Sequence, residues 1–280
     1  MTISIEEDNI VDLWETVNSD YPFPYNKELC SGINQLIIDY SDKLGLRLNR
    51  IIDCGCGSGN PSIGLKKEYG YDVTCSDMSS EMLERLRENL KATNVDLPII
   101  PSEWRDLSKH IISEQDKFDM VICRGNSLIY ATSWDRKSLL PNIAREGIIE
   151  ALKNFYAILK NGGIIYLDLS NQREFETNNY YEFVGHRNSP SSAGDIILFW
   201  KVQHVSAQKI RLVHSKRIFF NEFEEPVSIK YFKFVSYLLG HNELVEMMKE
   251  VGFKMNKDNI FIDVHGEKLY DVFIGIKQDD

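Results

Sequence analysis

The sequence predicts an α/β fold of the Rossmann-like kind, in which helices flank a mostly parallel sheet and an antiparallel β insertion follows. Strand-like and helix-like segments alternate over residues 50–169, which is typical of parallel sheets. A glycine-rich turn follows the first of these strands, where open α/β sheets bind nucleotide-like ligands. After Asn171 strand-like runs succeed one another without intervening helices, which indicates hairpins.

Length, charge and cysteine usage exclude several classes of protein. The 280 residues suit one sizeable domain with an insertion. The formal net charge of −10 argues against a protein that binds nucleic acid non-specifically. The acidic N-terminus lacks a signal-peptide pattern and no apolar run is long enough for a membrane span, so we expect a cytoplasmic protein without a membrane partner. Cys54 and Cys56 have no second pair or clustered histidines beside them, so we expect free thiols and no metal.

Residues 1–45 are predicted to form an aromatic and helical segment that closes the site. Pro22 and Pro24 interrupt the run up to Tyr25 and favour extended backbone. Apolar residues then recur at helical spacing over residues 27–44, which predicts an amphipathic helix.

Residues 46–174 contain the alternating segments of the predicted ligand-binding core. Its strands are predicted at residues 50–54, 72–76, 97–101, 118–123 and 163–169. Helices are predicted at residues 61–69, after an N-cap at Ser79, and at residues 143–159, with a C-cap and turn at residues 161–163.

Residues 175–238 are predicted to form the antiparallel insertion, and residues 239–280 to return to the core. The insertion strands are expected at residues 180–184, 195–205, 209–220 and 227–237. The last part is expected to contain a helix that ends at Gly252 and two strands, at residues 259–264 and 270–276.

The glycine turn reads Asp53-x-Gly55-x-Gly57-x-Gly59. Glycines allow a sharp turn and a close approach of backbone to ligand, because they have no Cβ. The spacing differs from the Gly-x-Gly-x-x-Gly of dinucleotide-binding proteins, which disfavours an NAD-dependent dehydrogenase. Asp77, after the second strand, is placed to accept hydrogen bonds from two ribose hydroxyls. The alternative interpretations are a tight turn without a ligand and an acid favoured by the helix dipole.

The turn resembles motif I of the class I S-adenosylmethionine (SAM) methyltransferases. Residues 125–127 (Gly-Asn-Ser), after the fourth strand, are similar to the corresponding segment of the glycine/sarcosine N-methyltransferases. Asp168-x-x-Asn171, Ser236-Tyr237 and the antiparallel insertion fit the same family. The resemblance covers most of residues 45–277. It implies a seven-stranded methyltransferase sheet with an antiparallel last strand, and an insertion that acts as a lid.

The resemblance also implies a site for SAM and its product S-adenosylhomocysteine. The expected cofactor residues lie in the glycine turn and at the ends of the next strands: Asp53, Gly55, Gly57, Gly59, Asp77, Met78, Glu103, Trp104 and Cys123. Met78 would cover the adenine face, and Trp104 equally fits a core aromatic.

Asn126 is expected to orient the acceptor nitrogen through its amide oxygen. Tyr21 and Tyr237 are expected to stabilise positive charge through their ring faces. Substrate-binding candidates are Trp14, Tyr25, Arg124, Ser170, Asn171, Arg173 and Tyr181. Any one tyrosine equally fits ordinary packing. Ser170 occupies the position of the family's carboxylate-binding arginine, so Arg173, Arg124 and Arg187 are the alternatives for that role.

The implied reaction is in-line methyl transfer to the nitrogen of a small amine or amino acid, which depends on alignment rather than on a strong base. Alternatives are methyl transfer to an oxygen or carbon of a small natural product, and a non-catalytic protein with the same fold. Nucleic-acid methylation is disfavoured, because the fourth strand is not followed by Asn/Asp-Pro-Pro-aromatic. The resemblance also suggests a homo-oligomer with a small-molecule partner.

Overall fold

The structure, a computed structural model, describes residues 3–18, 25–134, 139–170, 180–188, 195–221, 223–255 and 270–278. The strands are β1 (Ser4–Glu7), β2 (Arg50–Cys54), β3 (Asp72–Asp77), β4 (Ile99–Pro101), β5 (Phe118–Cys123), β6 (Leu159–Ser170), β7 (Tyr180–Asn188), β8 (Asp195–Val205), β9 (Ile210–Phe220), β10 (Pro226–Tyr237), β11 (Phe253–Met255) and β12 (Tyr270–Lys277). The α-helices are α1 (Ile10–Asn18), α2 (Lys27–Leu44), α3 (Ser62–Tyr69), α4 (Ser80–Thr93), α5 (Pro141–Ile158) and α6 (His241–Val251).

The chain divides into two compact units. The larger unit comprises residues 23–131, 145–172 and 239–280, and the smaller unit comprises residues 1–22, 132–144 and 173–238. Helix α2, which the sequence analysis grouped with the N-terminal segment, therefore lies in the larger unit. No helix within the described ranges is long and apolar enough to cross a membrane.

The larger unit is built on a seven-stranded sheet in the order β11-β12-β6-β5-β2-β3-β4. Strands β6, β5, β2, β3 and β4 are parallel, whereas β12 runs antiparallel to β6 and β11 antiparallel to β12. Successive residues such as Ile51 and Ile52 are both fully buried, as expected for a parallel sheet that is covered on both faces. The predicted fold class, a mostly parallel sheet with an antiparallel last strand, is confirmed.

Local signals in the sequence set several helix ends. The Ser79 hydroxyl accepts the N–H of Met82 at 3.2 Å, which confirms the predicted N-cap of α4. Gly252 follows α6 at φ +114°, where its N–H bonds carbonyls of the last turn. Pro61 lies at the N-cap of α3 rather than inside the helix, so α3 begins one residue later than predicted.

The predicted turn at residues 161–163 is wrong, because β6 begins at Leu159, directly after α5. Leu159 pairs with Phe118 of β5, and the next pair joins Ile164 to Met120, so the extra residues form an irregularity within the strand. Gly162 lies there at φ +76°, so the irregularity uses the left-handed conformation for which glycine is suited, although it does not interrupt the strand as a turn. The strand predicted at residues 259–264 falls outside the described residues.

The smaller unit contains a five-stranded sheet in the order β1-β10-β9-β8-β7. Strands β7 to β10 form antiparallel pairs, which confirms the predicted insertion, and β1 adds to the edge in parallel with β10. All four residues of β1 are exposed. The sequence pattern does not predict β1, because an exposed edge strand carries no alternating apolar pattern.

A buried ion pair joins α1 to the sheet of the smaller unit. The Arg217 guanidinium on β9 makes two hydrogen bonds to the Asp8 carboxylate, one of them from Nε at 2.7 Å. Its remaining terminal nitrogen donates to the carbonyl of Asp12 at 3.0 Å and to the hydroxyl of Thr16 at 2.5 Å. The side chains are 5% and 0% exposed, so the charges neutralise each other away from water.

We expect Arg217→Met to destabilise the protein by about 3–5 kcal/mol, because the substitution leaves the Asp8 charge buried without its partner. Denaturant unfolding followed by circular dichroism measures the change. Lys109→Met, which removes one partner of an exposed ion pair, is the control and should leave stability unchanged. An Arg217→Met variant as stable as the parent would show that the pair contributes nothing.

Candidate functional site

The glycine turn connects β2 to α3 at the carboxyl end of the parallel strands. The N–H groups of Gly55 and Cys56 both donate to the carbonyl of Ser76 on β3, at 2.8 and 3.1 Å. Gly55, Gly57 and Gly59 have φ values of +81°, +52° and +105°. Residues other than glycine rarely adopt such positive φ values. The turn is therefore fixed to the neighbouring strand in a conformation that requires glycine.

The glycines of this turn differ in the space around them. A Cβ at Gly59 would lie 2.6 Å from Leu86 Cδ1 and 2.8 Å from Ile63 Cδ1, so this position is closely packed by α3 and α4. A Cβ at Gly57 would meet nothing nearer than Met82 Sδ at 3.9 Å. Gly59 therefore serves packing, and the open space at Gly57 leaves room for a ligand beside the backbone.

Asp77 holds the turn from the end of β3. Its two carboxylate oxygens accept the backbone N–H groups of Gly57 and Ser79, each at 2.9 Å. Burial raises the pKa of this carboxyl, and the backbone N–H bonds partly offset the rise. Each carboxylate oxygen accepts up to two hydrogen bonds, so Asp77 retains capacity for ligand hydroxyls. Met78 beside it is 50% exposed.

Asp53 ends in a buried carboxylate with one unused oxygen. The residue is 1% exposed, and its Oδ2 accepts the Ser62 hydroxyl at 2.6 Å. Its Oδ1 is buried and has no hydrogen-bond partner among the described residues. Burial raises the pKa of Asp53 to about 7, against the lowering effects of Ser62 and Arg124. A buried oxygen without a partner is destabilising, and Asp53 Oδ1 can accept a hydrogen bond from a ligand.

Arg124 follows β5 and lies near the same carboxylates. One terminal nitrogen donates to the carbonyl of Asn60 at 3.4 Å, while its Nε is buried with no partner in the described part of the chain. Burial by itself lowers the pKa of Arg124. The negative charge of Asp168, with smaller contributions from groups that include Asp53, outweighs this effect, so the pKa is raised overall. The Arg124 guanidinium is therefore charged at the edge of the sheet, and its Nε can still donate a hydrogen bond.

Asn126 connects the ends of β5 and β6. It lies at φ +59°, a conformation that asparagine tolerates better than most residues, and its N–H donates to Asp168 Oδ1 at 2.8 Å. Its amide nitrogen donates to the Ser170 hydroxyl at 3.0 Å, and its amide oxygen accepts the Ser170 N–H at 3.4 Å. The side chain is thus oriented by the last residues of the neighbouring strand.

Three residues of this region had no assigned role in the sequence analysis. Asp168, whose carboxylate accepts the N–H groups of Gly125 and Asn126, was recognisable from its position at the end of a strand. Ser62, the partner of Asp53, was recognisable only from its place after Pro61. His241 Nε2 lies 3.0 Å from the Ser170 carbonyl, and this contact between distant parts of the chain leaves no local sequence signal.

The expected adenine contacts lie after β4. Trp104 packs edge-on against Phe155, with ring centroids 5.7 Å apart, and a Cβ at Gly55 would lie 3.1 Å from Trp104 Cζ2. The indole therefore contacts both the core and the glycine turn. Glu103 forms an ion pair with Arg105, and the buried Cys123 ends β5.

The remaining expected residues are more scattered. Tyr25 is buried in the larger unit, where its hydroxyl donates to Glu68 at 2.5 Å and burial raises its pKa to about 12. Trp14 and Tyr237 belong to the smaller unit, in which Trp14 packs with Trp134, Trp200 and Phe234. Tyr181 is described only as backbone on β7, and Tyr21, Asn171 and Arg173 lie outside the described residues.

Comparison with known proteins finds methyltransferases, and the family model that matches covers the part of the chain that contains the glycine turn. Residues 51–147 match a family model described as a methyltransferase domain, a span that includes the glycine turn, Asp77 and Asn126. The glycine/sarcosine N-methyltransferase from Aphanothece halophytica is 36% identical over 122 residues, which are 44% of this chain and 40% of that protein. The glycine/sarcosine/dimethylglycine N-methyltransferase from Actinopolyspora halophila is 25% identical over 248 residues, 85% of this chain and 38% of that protein. The chain thus spans about two fifths of the length of these curated relatives.

Solved structures show the same fold at low sequence identity. An S-adenosylmethionine-dependent methyltransferase from Clostridium acetobutylicum ATCC 824 has a TM-score of 0.67 at 12% identity, covering 96% of this chain and 97% of that chain. The sugar N-methyltransferase KedS8 from Streptoalloteichus sp ATCC 53650 has a TM-score of 0.65 at 12% identity, covering 100% and 96%. The comparisons confirm the resemblance stated from the sequence and the fold class.

We expect Gly59→Ala to cost about 1–3 kcal/mol more stability than Gly70→Ala, because only the former pushes a Cβ into packed side chains. Gly70 is the matched control, since it has φ +76° and nothing within 4 Å of a Cβ. Thermal and denaturant unfolding measure the difference. Equal losses of stability in the two variants would mean that the side chains around Gly59 rearrange to accept a Cβ without an energetic cost.

Proposed function

We propose that this chain, of which residues 51–147 match a methyltransferase domain, is a SAM-dependent N-methyltransferase that acts on a small amine or amino acid. The observation that carries the proposal is the glycine turn, open at Gly57 and lying between the Asp53 and Asp77 carboxylates. Relatives named glycine/sarcosine N-methyltransferase support nitrogen as the acceptor atom. The net charge of −10 supports a small-molecule partner rather than nucleic acid, and we propose a cytoplasmic location.

The residues at the sheet edge fit this cofactor. The unused oxygen of Asp53 suits a cationic donor, and the open space at Gly57 suits a ligand that contacts backbone. We assign the spare acceptor capacity of Asp77 to ribose hydroxyls, and the exposed Met78 and the nearby Trp104 to the adenine. Gly55, Gly59, Glu103 and Cys123 complete the proposed cofactor residues.

Bound SAM would supply an electrophilic methyl group on a positively charged sulfur, with S-adenosylhomocysteine as the product. The acceptor nitrogen then needs orientation and exclusion of water more than a strong base. Asn126 is suited to orient an amine, because its bond to the Ser170 N–H is long at 3.4 Å and the amide oxygen can accept a second hydrogen bond. Ser170 holds the amide in place through its hydroxyl. The roles of Tyr21, Tyr237, Trp14, Tyr25, Asn171, Arg173 and Tyr181 stay predictions.

A second candidate is an amine that carries no carboxylate, such as an amino sugar. Ser170 occupies the position of the family's carboxylate-binding arginine, and its hydroxyl and carbonyl are engaged by Asn126 and His241. Position 170 therefore offers no cationic side chain to a substrate carboxylate. The fold neighbour named as a sugar N-methyltransferase supports the same acceptor class.

The central experiment combines SAM titration by calorimetry with a methylation assay on a panel of amino acids, amines and amino sugars, read by mass spectrometry. We expect SAM to bind and the mass of one class of amine to rise by a methyl group. Products methylated on oxygen or carbon would correct the acceptor, and absence of SAM binding would contradict the proposed function itself.

Gly57→Leu should abolish SAM binding and leave the protein folded, because the side chain fills the space assigned to the cofactor. Gly45→Leu is the matched control, since Gly45 has φ +63°, open surroundings and a position at the end of α2. Both changes should cost about 1–2 kcal/mol of stability through the left-handed backbone. Retained SAM affinity in Gly57→Leu would place the cofactor elsewhere.

Asn126→Ala should lower kcat about a hundredfold and change the Kd for SAM little, because a misplaced acceptor loses the aligned geometry. Asn154→Ala is the control, since Asn154 is also a buried asparagine that joins two elements through hydrogen bonds. Steady-state kinetics and calorimetry separate the two effects. Parallel losses in kcat and SAM affinity would remove the acceptor role of Asn126.

A further inference from the structure

His241, the first residue of α6, contacts the end of β6 and a carboxylate of β12. Its Nε2 lies 3.0 Å from the carbonyl oxygen of Ser170, the last residue of β6. Its Nδ1, on the other side of the ring, lies 3.6 Å from Oδ2 of Asp271. The imidazole also packs against the ring of Phe273, with centroids 5.3 Å apart. Two polar contacts and one ring contact thus fix the position of the imidazole.

The chemistry of the two polar partners determines where the imidazole carries hydrogen. A carbonyl oxygen only accepts hydrogen bonds, so the Nε2 that faces Ser170 must be an N–H. A bare Nδ1 would direct its lone pair at the Asp271 carboxylate, whereas an Nδ1–H would be attracted to that carboxylate. The side chains of His241 and Asp271 are only 13% and 10% exposed, so water screens these contacts little. His241 is therefore held as a hydrogen-bond donor to Ser170.

The strand pairing places His241 and Asn126 on opposite faces of the sheet in the larger unit. Asp271 pairs directly with Leu169 in the antiparallel ladder of β12 and β6. Directly paired residues share a face and successive residues of a strand alternate, so the side chains of Asp271 and Ser170 point to opposite faces. Asn126 bonds the Ser170 side chain on one face, and His241 lies with Asp271 on the other.

Ser170 is the residue that orients the Asn126 amide. It accepts the amide nitrogen on its hydroxyl at 3.0 Å, and its N–H lies 3.4 Å from the amide oxygen. Strand ends open more easily than strand interiors, and β6 ends at Ser170. A hydrogen bond from a separate helix to the Ser170 carbonyl opposes this opening. His241 can therefore act on Asn126 through the peptide of Ser170.

We propose that His241 is a positioning residue for methyl transfer. Its donation to the Ser170 carbonyl, with Asp271 orienting the ring, holds Ser170 in the place from which Asn126 presents its amide oxygen to the acceptor amine. The inference rests on the proposed function, since it requires that Asn126 orient the acceptor. The glycine turn lies between β2 and β3, which β6 and β5 separate from β12. Loss of His241 should therefore affect turnover and leave SAM binding unchanged.

The kinetic test compares three variants. His241→Leu removes the donor and should lower kcat about tenfold with an unchanged Kd for SAM, because Asn126 loses its fixed position. His241→Gln keeps an N–H donor near the place of Nε2 and should recover most of the lost kcat. Leu244→Val is the matched control, since Leu244 is a fully buried residue of the same helix. It loosens the packing of α6, keeps the His241 donor and should leave kcat unchanged.

A double-mutant cycle separates action through Asn126 from an independent effect. The double variant Asn126→Ala/His241→Leu should have the kcat of Asn126→Ala alone, because the second change has nothing left to displace. Losses of kcat that multiply would overturn the positioning role. An equal loss in Leu244→Val and His241→Leu, or no recovery in His241→Gln, would leave His241 only the anchoring of α6. If His241→Leu does not fold, His241→Asn replaces it, since the shorter amide does not reach the Ser170 carbonyl.

The contact itself is tested without a measurement of activity. Nitrogen-15 NMR of the histidine-labelled protein gives the chemical shift of each ring nitrogen, and the spectrum of His241→Gln identifies the His241 signals. We expect Nε2 of His241 to show the shift of a nitrogen that carries hydrogen, and a bare Nε2 overturns the contact. An active parent whose kcat is unchanged in His241→Leu overturns the positioning role alone. A parent that neither binds SAM nor methylates an amine contradicts the proposed function, and the positioning role with it.

Discussion

The N–H of Gly57 donates to the Asp77 carboxylate, and the rest of the candidate site depends on this hydrogen bond. Together with the bonds from Gly55 and Cys56 to the Ser76 carbonyl, it fixes the turn after β2 to the end of β3. A turn with three glycines pays a large conformational entropy on ordering, so these bonds offset a cost that a stiffer sequence would avoid. What the glycines provide in return is open backbone at Gly57 and close packing at Gly59.

The charge balance at the sheet edge follows from that geometry. Asp53, Asp77 and Asp168 are buried acids at the ends of β2, β3 and β6, and the Arg124 charge interacts with Asp53 and Asp168. Burial raises the pKa of each carboxyl, because a low-dielectric environment disfavours the charged form. Hydrogen bonds within the protein compensate Asp77 and Asp168 more fully than Asp53. Asp53 is therefore the carboxylate at this edge whose charge the described residues compensate least.

The smaller unit depends on a different buried charge. Arg217 on β9 satisfies nearly all of its donors on Asp8, Asp12 and Thr16, which attaches α1 to the sheet alongside the packing of Trp14 on Trp200 and Phe234. Strand β1 precedes α1 and pairs with β10, and the Asp8 N–H continues that attachment by donating to the Tyr231 carbonyl at 2.7 Å. Strand β1 itself buries no side chain, so its attachment rests on backbone pairing, whereas α1 also buries Val11 and Leu13.

The sequence by itself determined the fold class, the bounds of β2, β5 and α2, the caps at Ser79 and Gly252, and the place of the glycine turn. These features depend on neighbours within a few residues, whose periodicity and turn chemistry are visible in the chain. Only the tertiary structure decided that Asn126 is held by Ser170, that Arg124 lies near Asp53, that β1 pairs with β10, and that the glycines at 162 and 163 lie inside β6. Each of these joins segments far apart in sequence, and register and burial between such segments leave no local pattern to read.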